Sequence, residues 1–483
     1  MNNKLKLFLT ILIFSLHNVD LSIAGAGGAG EAGNEVEHQI SLQNVTFSAV
    51  KHYPQILSYY QKLNIAESNY LSTLGFFDIK LKQEYIDKSR GFYDGKVFNS
   101  SLEKELGFMG SKIYTGYRKS FKDFPVYEGG SITNNGGEYR FGGKVSLLKD
   151  GIIDNERLQI FLSNLGIEES KIQLKLIKKE IERDSTKAYY KSVASAKILQ
   201  IYEELYQLSI KRQSQLEERL KKGDVAQIIV AENKKNVLHR KNSLIKAEQN
   251  FINDAIYLSL FYRDEAGKPV IINRNQIIDN NFLIHSIKNH QIIQDLEIAT
   301  VHRPELKILN IKKEQNLKEL QYAKNLIKPQ LDVDIAMSKD LGSGSMQSKQ
   351  ANNNLAVNFS LPLQQREARG KISALQAKLK SLSFEKQLII EKIKNELEQI
   401  NVQISAIFQI YQNLQEEVKL AELLEKSEKE KFKQGASNFF LVNIREQDTA
   451  ISKVAIIEMV EKYQYILADY KMALFMDDED KAS

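Results

Sequence analysis

The stretch that decides the fold is Lys371–Gln434, which reads KISALQAKLKSLSFEKQLIIEKIKNELEQINVQISAIFQIYQNLQEEVKLAELLEKSEKEKFKQ. It runs for 64 residues without a glycine or a proline, the two residues that most often interrupt a helix. Its apolar residues alternate steps of three and four in a heptad seam, formed by Ile404, Ile407, Tyr411, Leu414, Val418 and Ala421. The stretch predicts one arm of a long helical hairpin, which turns at Gly435.

A second unit of the same kind lies earlier in the chain. Residues 167–222 also lack glycine and proline, Gly223 ends the run, and a new apolar period begins at Val225. Upstream of each hairpin, His52-Tyr53-Pro54-Gln55 is echoed by His302-Arg303-Pro304-Glu305. Two such units in one order indicate an internal duplication.

Composition and charge limit the possible functions. The chain has 483 residues, of which 42% are hydrophobic and 27% charged, so it can bury a sizeable core. Its net charge of +6 comes from 67 basic and 61 acidic residues that are spread along the predicted helices. This distribution is typical of solvated helix faces and predicts no nucleic-acid partner. Cysteine is absent, which excludes disulfides and thiolate metal sites.

The N-terminus reads as an export signal. Lys4 and Lys6 precede the apolar run Leu7–Leu16, and Ser22-Ile23-Ala24 provides small residues where a signal peptidase cuts. We expect a signal peptide over 1–24 and a flexible segment over 25–41. The alternative is a buried N-terminal helix.

The remaining chain divides into two repeats. Residues 42–262 and 293–475 are the repeats, 263–292 form an equatorial segment between them, and 476–483 form an acidic tail. Repeat 1 is predicted to contain a helix over 42–74, strands over 76–86 and 138–148 around an exposed loop 87–137, a long helix over 151–222 and a helix over 225–262. Repeat 2 is predicted to contain a helix over 293–327, strands over 330–339 and 354–362, a long helix over 363–434 and a helix over 438–475. Whether 101–120 adds strands or forms an external hairpin stays open.

The predicted strands cannot close a barrel alone. Each is about ten residues long with one apolar and one polar face, enough to cross a bilayer when tilted. Four strands cannot enclose a pore that is wide enough for transport, so several chains would have to contribute strands to one barrel. Asp332 and Asp334 share one strand face and are predicted to line a water-filled lumen. The alternative is a small sheet that caps a soluble helical bundle.

The order of these parts resembles the TolC family of outer-membrane efflux proteins. The resemblance covers residues 42–475 and rests on the paired tips 220–225 (LKKGDV) and 432–437 (FKQGAS), on Arg303-Pro304-Glu305-Leu306 and on Ser360-Leu361-Pro362-Leu363. It implies a mainly α fold in which long coiled-coil hairpins form an α-barrel. It also implies a joined transmembrane β-barrel of twelve strands, shared by a homotrimer in the outer membrane of a Gram-negative bacterium and extending into the periplasm.

The resemblance also points to candidate site residues. A periplasmic adaptor is expected to dock on the hairpin tips, at Lys222, Gly223, Asp224, Lys433, Gly435 and Ala436. Family members often carry an acidic ring at the periplasmic aperture. The corresponding segment here suggests an apolar and amide constriction, formed by Phe440, Asn443, Ile444 and Arg445. Arg445 is expected to pair with Glu446 or Asp448. The alternatives are ordinary coiled-coil packing and glycines that serve the turns alone.

The predicted function is a passive exit duct, the outer-membrane channel of a tripartite efflux or type I secretion system. Its expected partners are an adaptor, an inner-membrane transporter and outer-membrane lipid. The alternative is a periplasmic adaptor or coiled-coil scaffold, although an adaptor normally carries one hairpin rather than two. An enzyme is disfavoured, since the sequence has no HExxH or phosphate-loop motif, and no catalytic, cofactor or metal residues are predicted. The cargo stays open.

Overall fold

The computed structural model of the chain describes residues 39–89, 92, 94–121, 124, 131–277, 282–284, 292–344 and 350–475. The expected signal peptide, most of the segment 25–41 and the acidic tail lie outside the described residues. The described residues form two structural parts, a set of long helices and one antiparallel sheet.

Eight α-helices are described in chain order. They are α1 (Leu42–His52), α2 (Pro54–Leu74), α3 (Asn155–Lys221), α4 (Gln227–Leu258), α5 (Ile292–His302), α6 (Pro304–Asn325), α7 (Arg366–Lys433) and α8 (Phe439–Leu474). Within the described part of the chain, no helix combines the length and apolarity needed to cross a membrane.

The long arms α3 and α7 contain 67 and 68 residues, which is about 100 Å of helix each. Along α7, Ile404, Ile407 and Tyr411 are buried against the returning helix α8. The remaining three seam residues are half-buried. The heptad pattern therefore identified the packed face of α7, and helix α4 returns along α3 in the same way.

The short helices before each sheet segment are broken, whereas the sequence predicted single helices over 42–74 and 293–327. The breaks fall at Tyr53 and Arg303, whose backbones are extended with ψ of 125° and 124°. Each residue precedes a proline that becomes the first residue of the next helix. A proline ring disfavours the helical conformation of the residue before it, and this ends the helix there.

In repeat 1 the shorter helices lie one after the other along α3. Lys178 on the first half of α3 donates to the Tyr60 hydroxyl of α2 at 2.8 Å. Further along, the Ser192 hydroxyl of α3 donates to the Asp254 carbonyl of α4 at 3.2 Å. Near the junction, the Ser48 hydroxyl of α1 donates to the Arg263 carbonyl at 2.8 Å. The chain after α4 therefore lies beside α1.

Among the described residues the sheet has six antiparallel strands in sequence order, two more than the four predicted. They are β1 (Lys80–Lys88), β2 (Gly95–Glu105), β3 (Lys112–Phe121), β4 (Gly137–Ser146), β5 (Gln330–Leu341) and β6 (Asn352–Ser360). The prediction of an exposed loop over 87–137 was wrong, because β2 and β3 lie within it. Their alternation is weak in sequence, since Ser, Gly and Lys occupy nine of their 21 positions. These residues become strands because β1 pairs with nine residues of β2 and β4 pairs with seven residues of β3.

The strand register separates an apolar and a charged face. Phe141 lies opposite Met337, and Ile335 lies opposite Leu355 on the same face. Ion pairs cross the other face, where Glu103 binds Lys82 at 2.7 Å and Lys112 at 2.5 Å, Glu138 binds Arg118 at 2.6 Å, and Asp332 binds Lys144 at 2.7 Å. The apolar residues are open to the surroundings, and Leu355 is 66% exposed. One face of the sheet therefore suits lipid and the other suits water.

Candidate functional site

The two hairpin tips have the same backbone structure. Gly223 and Gly435 adopt left-handed conformations with φ of +78° and +76°. In each tip the glycine amide donates three residues back and the following amide donates five residues back, from Gly223 to Leu220 and from Asp224 to Arg219 in the first tip. Ala436 donates to Lys431 in the second. These bonds satisfy the last carbonyls of the long helices, and they require a residue that tolerates positive φ.

The structure brings the candidate docking residues together at each turn and leaves them open. Lys222, Gly223 and Asp224 are exposed in the first tip. Lys433, Gly435 and Ala436 are exposed in the second. A side chain added at either glycine would meet no atom within 4 Å. The tips are therefore matched, solvent-facing turns that carry exposed lysines.

The candidate aperture residues lie in the first two turns of α8, but they do not form one cluster. The amide of Leu441 donates to Asn438, which caps the helix. Phe440 and Ile444 are 51% and 38% exposed, whereas Asn443 is buried and points towards α3. The constriction was expected to include all three side chains. The structure separates an exposed apolar pair from a buried amide.

Arg445 pairs with one of its two expected partners. Its guanidinium lies 3.8 Å from the Asp448 carboxylate, one of the two partners expected. Both side chains are substantially exposed, so this pair contributes little stability. The other expected partner, Glu446, binds different residues.

Glu446 is the centre of a buried charged cluster that joins all four arms of the two hairpins. Arg212 of α3 donates to its two oxygens at 2.6 and 3.0 Å. Arg240 of α4 donates to Oε2 through both terminal nitrogens at 3.1 Å, and Lys429 of α7 lies 3.3 Å from Oε1. We refer to Arg212, Arg240, Lys429 and Glu446 as the Glu446 cluster. Since the side chains of Arg240 and Glu446 are each 1% exposed, solvent screens this interaction little.

The cluster also holds Asn443. Arg212 donates to the Asn443 side-chain oxygen, and Arg240 donates to its backbone carbonyl at 3.3 Å. Arg240 further donates to the Leu205 carbonyl of α3 at 3.1 Å. The two arginines therefore fix the first turns of α8 against the α3–α4 hairpin.

The electrostatics of Glu446 favour its ionised form. Burial by itself raises the pKa of a carboxyl group, but the hydrogen bond from Arg212 and the charges of Arg212, Arg240 and Lys429 outweigh it. The pKa of Glu446 is consequently held below its usual value. The Glu446 carboxylate therefore remains ionised at neutral pH and links the hairpins by charge.

Sequence reasoning did not identify this cluster, although a signal was present. On α4, Asn233, Val237, Arg240, Ala247 and Phe251 are buried at steps of three, four and seven. Arg240 therefore occupies a core position of a heptad seam. A cation at such a position indicates a buried anionic partner, but only the packed structure identifies that partner as Glu446.

Several solved structures share the fold of this chain. The CmeC outer-membrane channel of Campylobacter jejuni superposes with a TM-score of 0.64 over 96% of both chains, at 13% identity. The outer-membrane protein VceC of Vibrio cholerae gives 0.64 over 90% of this chain and 96% of its own, at 11% identity. The open state of the Neisseria gonorrhoeae MtrE outer-membrane channel gives 0.61 over 90% and 88%, at 10% identity.

The chain has the outer-membrane channel fold. The expected TolC-like architecture is thereby confirmed, with duplicated helical hairpins and a small β part. No protein-family profile matches the sequence, and no curated protein sequence matches it. The channel fold is therefore preserved with few identical residues. In this chain it contains a six-stranded sheet and the Glu446 cluster.

Proposed function

We propose that this chain is an outer-membrane channel, the passive exit duct of a tripartite efflux or type I secretion system in a Gram-negative bacterium. The observation that carries the proposal is the sheet, which has an apolar exposed face and a face crossed by ion pairs. A sheet of this kind suits a wall between lipid and water. The fold shared with outer-membrane channels over most of both chains supports the same function.

The working form is proposed to be a homotrimer in outer-membrane lipid. Along the described strands, β1 pairs with β2 alone and β6 with β5 alone. Open sheet edges are untenable in lipid, because their backbone groups find no hydrogen-bond partner there. Association of identical chains around one axis satisfies these edges and encloses the charged face.

The proposed partners are a periplasmic adaptor and, through it, an inner-membrane transporter. The adaptor would dock on the tips, at Lys222-Gly223-Asp224 and Lys433 to Ala436. Support comes from the matching backbone of the two turns and from their exposure. Identical turns offer an adaptor two similar attachment points in each chain.

We further propose that the Glu446 cluster holds the closed state of the periplasmic aperture. Phe440 and Ile444 remain exposed on α8 and are available to narrow a pore by dewetting. Their position depends on α8, whose first turns are held by Arg212 and Arg240. Loss of the ionic contacts would free the α7–α8 hairpin to move away from the α3–α4 hairpin.

A periplasmic adaptor or scaffold is the alternative. The duplicated hairpins and the exposed apolar face of the sheet argue against it, because a soluble adaptor would gain nothing from that face. The expectation that the chain is not an enzyme follows from the same channel assignment.

Membrane fractionation and electrical recording test the proposal. The protein should remain with outer membranes after a high-salt wash and should produce conductance steps in planar lipid bilayers. Release by salt together with absence of conductance would contradict the channel function and favour the adaptor.

A further inference from the structure

The extra hairpin of β2 and β3 changes the size of the barrel that this chain can build. We propose that both strands belong to the membrane wall, and that β6 of one copy pairs with β1 of the next. Three sheets of six strands then close a barrel of eighteen strands rather than twelve. This inference rests on the proposed outer-membrane function.

The first argument is the continuity of the sheet. Strands β2 and β3 contain 11 and 10 residues, close to the 9 to 12 of the other strands. They lie between β1 and β4, and no described pairing joins β1 directly to β4. Removing β2 and β3 from the wall would therefore break nine residue pairs with β1 and seven with β4. A hairpin projecting beyond the membrane would not need to pair with both neighbours over most of its length.

The second argument is the alternation of side chains across the inserted strands. Leu102 of β2 lies opposite Leu81 of β1, and both are exposed on the apolar face. On the other face, Glu103 of β2 binds Lys82 of β1 and Lys112 of β3. The lipid-suited and water-suited faces thus continue into the helix-proximal parts of β2 and β3, whereas the far end of the apolar face carries the Asp87–Lys96 ion pair.

The third argument is the stagger of the strands, which sets the tilt of a barrel. Paired residues can be followed across the sheet from strand to strand, starting at Lys80, the first residue of β1. This row reaches β6 at Asn354, six residues before the end of that strand, so the strands are displaced by six residues over five steps. A stagger of about one residue per strand corresponds to a tilt of about 35°, at a rise of about 3.3 Å and a spacing of about 4.8 Å. This tilt is within the range of transmembrane barrels.

The partner for each free edge is a second copy of this chain. Strand β1 begins soon after helix α2 and β6 ends shortly before helix α7, so the two edge strands run antiparallel. Rotation about an axis along the barrel places β6 of one copy beside β1 of the next with the polarity of the other pairs. At this tilt, eighteen strands give a backbone diameter of about 34 Å, against about 22 Å for twelve. Because this barrel is wider, the narrowest point of the channel, which limits the size of the cargo, lies at the periplasmic end.

Tryptophan fluorescence tests the position of β2, because the chain contains no tryptophan. Leu102→Trp should be quenched by brominated phospholipids as strongly as Val357→Trp on β6, since each lies three residues from the same end of its strand. Ser101→Trp on the opposite face lies beside Gly116, which leaves room for the ring, and it should be quenched by iodide from water. Quenching of Val357→Trp without Leu102→Trp would overturn the eighteen-stranded wall and leave the channel function intact. If brominated phospholipids quench neither Leu102→Trp nor Val357→Trp, the result would contradict both the eighteen-stranded wall and the outer-membrane channel function.

Cysteine cross-linking tests the closure between copies, because the chain is free of cysteine. Gln83→Cys on β1 combined with Val357→Cys or Phe359→Cys on β6 should give a disulfide-linked trimer under oxidation, since continuing the stagger brings these positions together. Gln83→Cys combined with Asn353→Cys should give no disulfide-linked trimer, since Asn353 is not brought to Gln83 by the stagger. Each single variant should also give no disulfide-linked trimer. Absence of linked trimers from both expected pairs in outer membranes would overturn the β6–β1 pairing.

Discussion

Arg240 of α4 and Glu446 of α8 lie 206 residues apart in sequence and bind each other at 3.1 Å with almost no exposure to solvent. They belong to different hairpins. Burying an ion pair is costly, and removing one partner of such a pair leaves the other charge uncompensated, at about 3–5 kcal/mol. The contact is therefore a strong constraint on how the two hairpins can move.

Glu446→Gln should raise the resting conductance of the channel in planar bilayers. The substitution keeps the shape of the side chain but removes the negative charge that three cations surround. Asp448→Asn is the matched control, because Asp448 pairs at 3.8 Å with an exposed arginine. Equal conductance of Glu446→Gln and the unsubstituted channel would contradict the closing role of the cluster.

Resting conductance should be constant between about pH 7 and about pH 5 and should rise only in stronger acid. The pKa of Glu446 is lowered by folding, so its pairing contributes full stability above the usual carboxyl value near 4.5. That contribution is lost as the pH falls through the lower folded value. In Glu446→Gln the acid-dependent rise should be absent, and a rise of the same size in that variant would assign the response to other groups.

Asn443→Ala should raise resting conductance more than Arg445→Ala. Asn443 is buried and accepts a hydrogen bond from Arg212, whereas Arg445 is half-exposed with one distant partner. Single-channel recording of both variants shows which of them has the higher resting conductance. The reverse order would indicate that Arg445 closes the pore directly and that the cluster is secondary.

Gly223→Ala and Gly435→Ala should each lower the stability of the tip by about 1 kcal/mol, because alanine is disfavoured at positive φ. No neighbour lies within 4 Å, so the cost arises from the backbone alone. Gly166→Ala within α3 is the control and should stabilise the helix by about 0.5–1 kcal/mol. Hydrogen exchange of the tip amides measures the local change. Unchanged exchange at both tips would show that the left-handed turns are not required.

Lys222→Glu or Lys433→Glu should impair export that depends on the adaptor. Both lysines are exposed at the tips, where a reversal of charge alters docking without disturbing a core. Lys394→Glu, on an exposed site in the middle of α7, is the control for the general effect of charge. Normal cargo export with both tip variants would limit the tips to a role in turning the chain.

The helical part of the molecule could largely be predicted from the sequence. The seam from Ile404 to Tyr411 is buried against α8, and the glycines at 223 and 435 form the expected turns, with left-handed backbones. These features are local, because heptad spacing and backbone freedom are properties of residues close together in the chain. The helix breaks at Tyr53 and Arg303 are also local, and the following prolines could have predicted them.

The sheet and the charged cluster depended on the tertiary structure. Strands β2 and β3 have weak alternation of their own and are strands because β1 and β4 pair with them. Arg240 is distinguished in sequence only by its position on a heptad seam, and Arg212, Lys429 and Glu446 are ordinary charged residues of three other helices.

The sequence by itself determined two long hairpins, their turns and their duplication. Only the tertiary structure decided that the sheet has six strands and that Glu446, rather than Arg445, carries the main ionic contacts between the hairpins. The physical reason is range: a helical period repeats every few residues, whereas strand pairing and burial of charge join residues that are far apart in the chain.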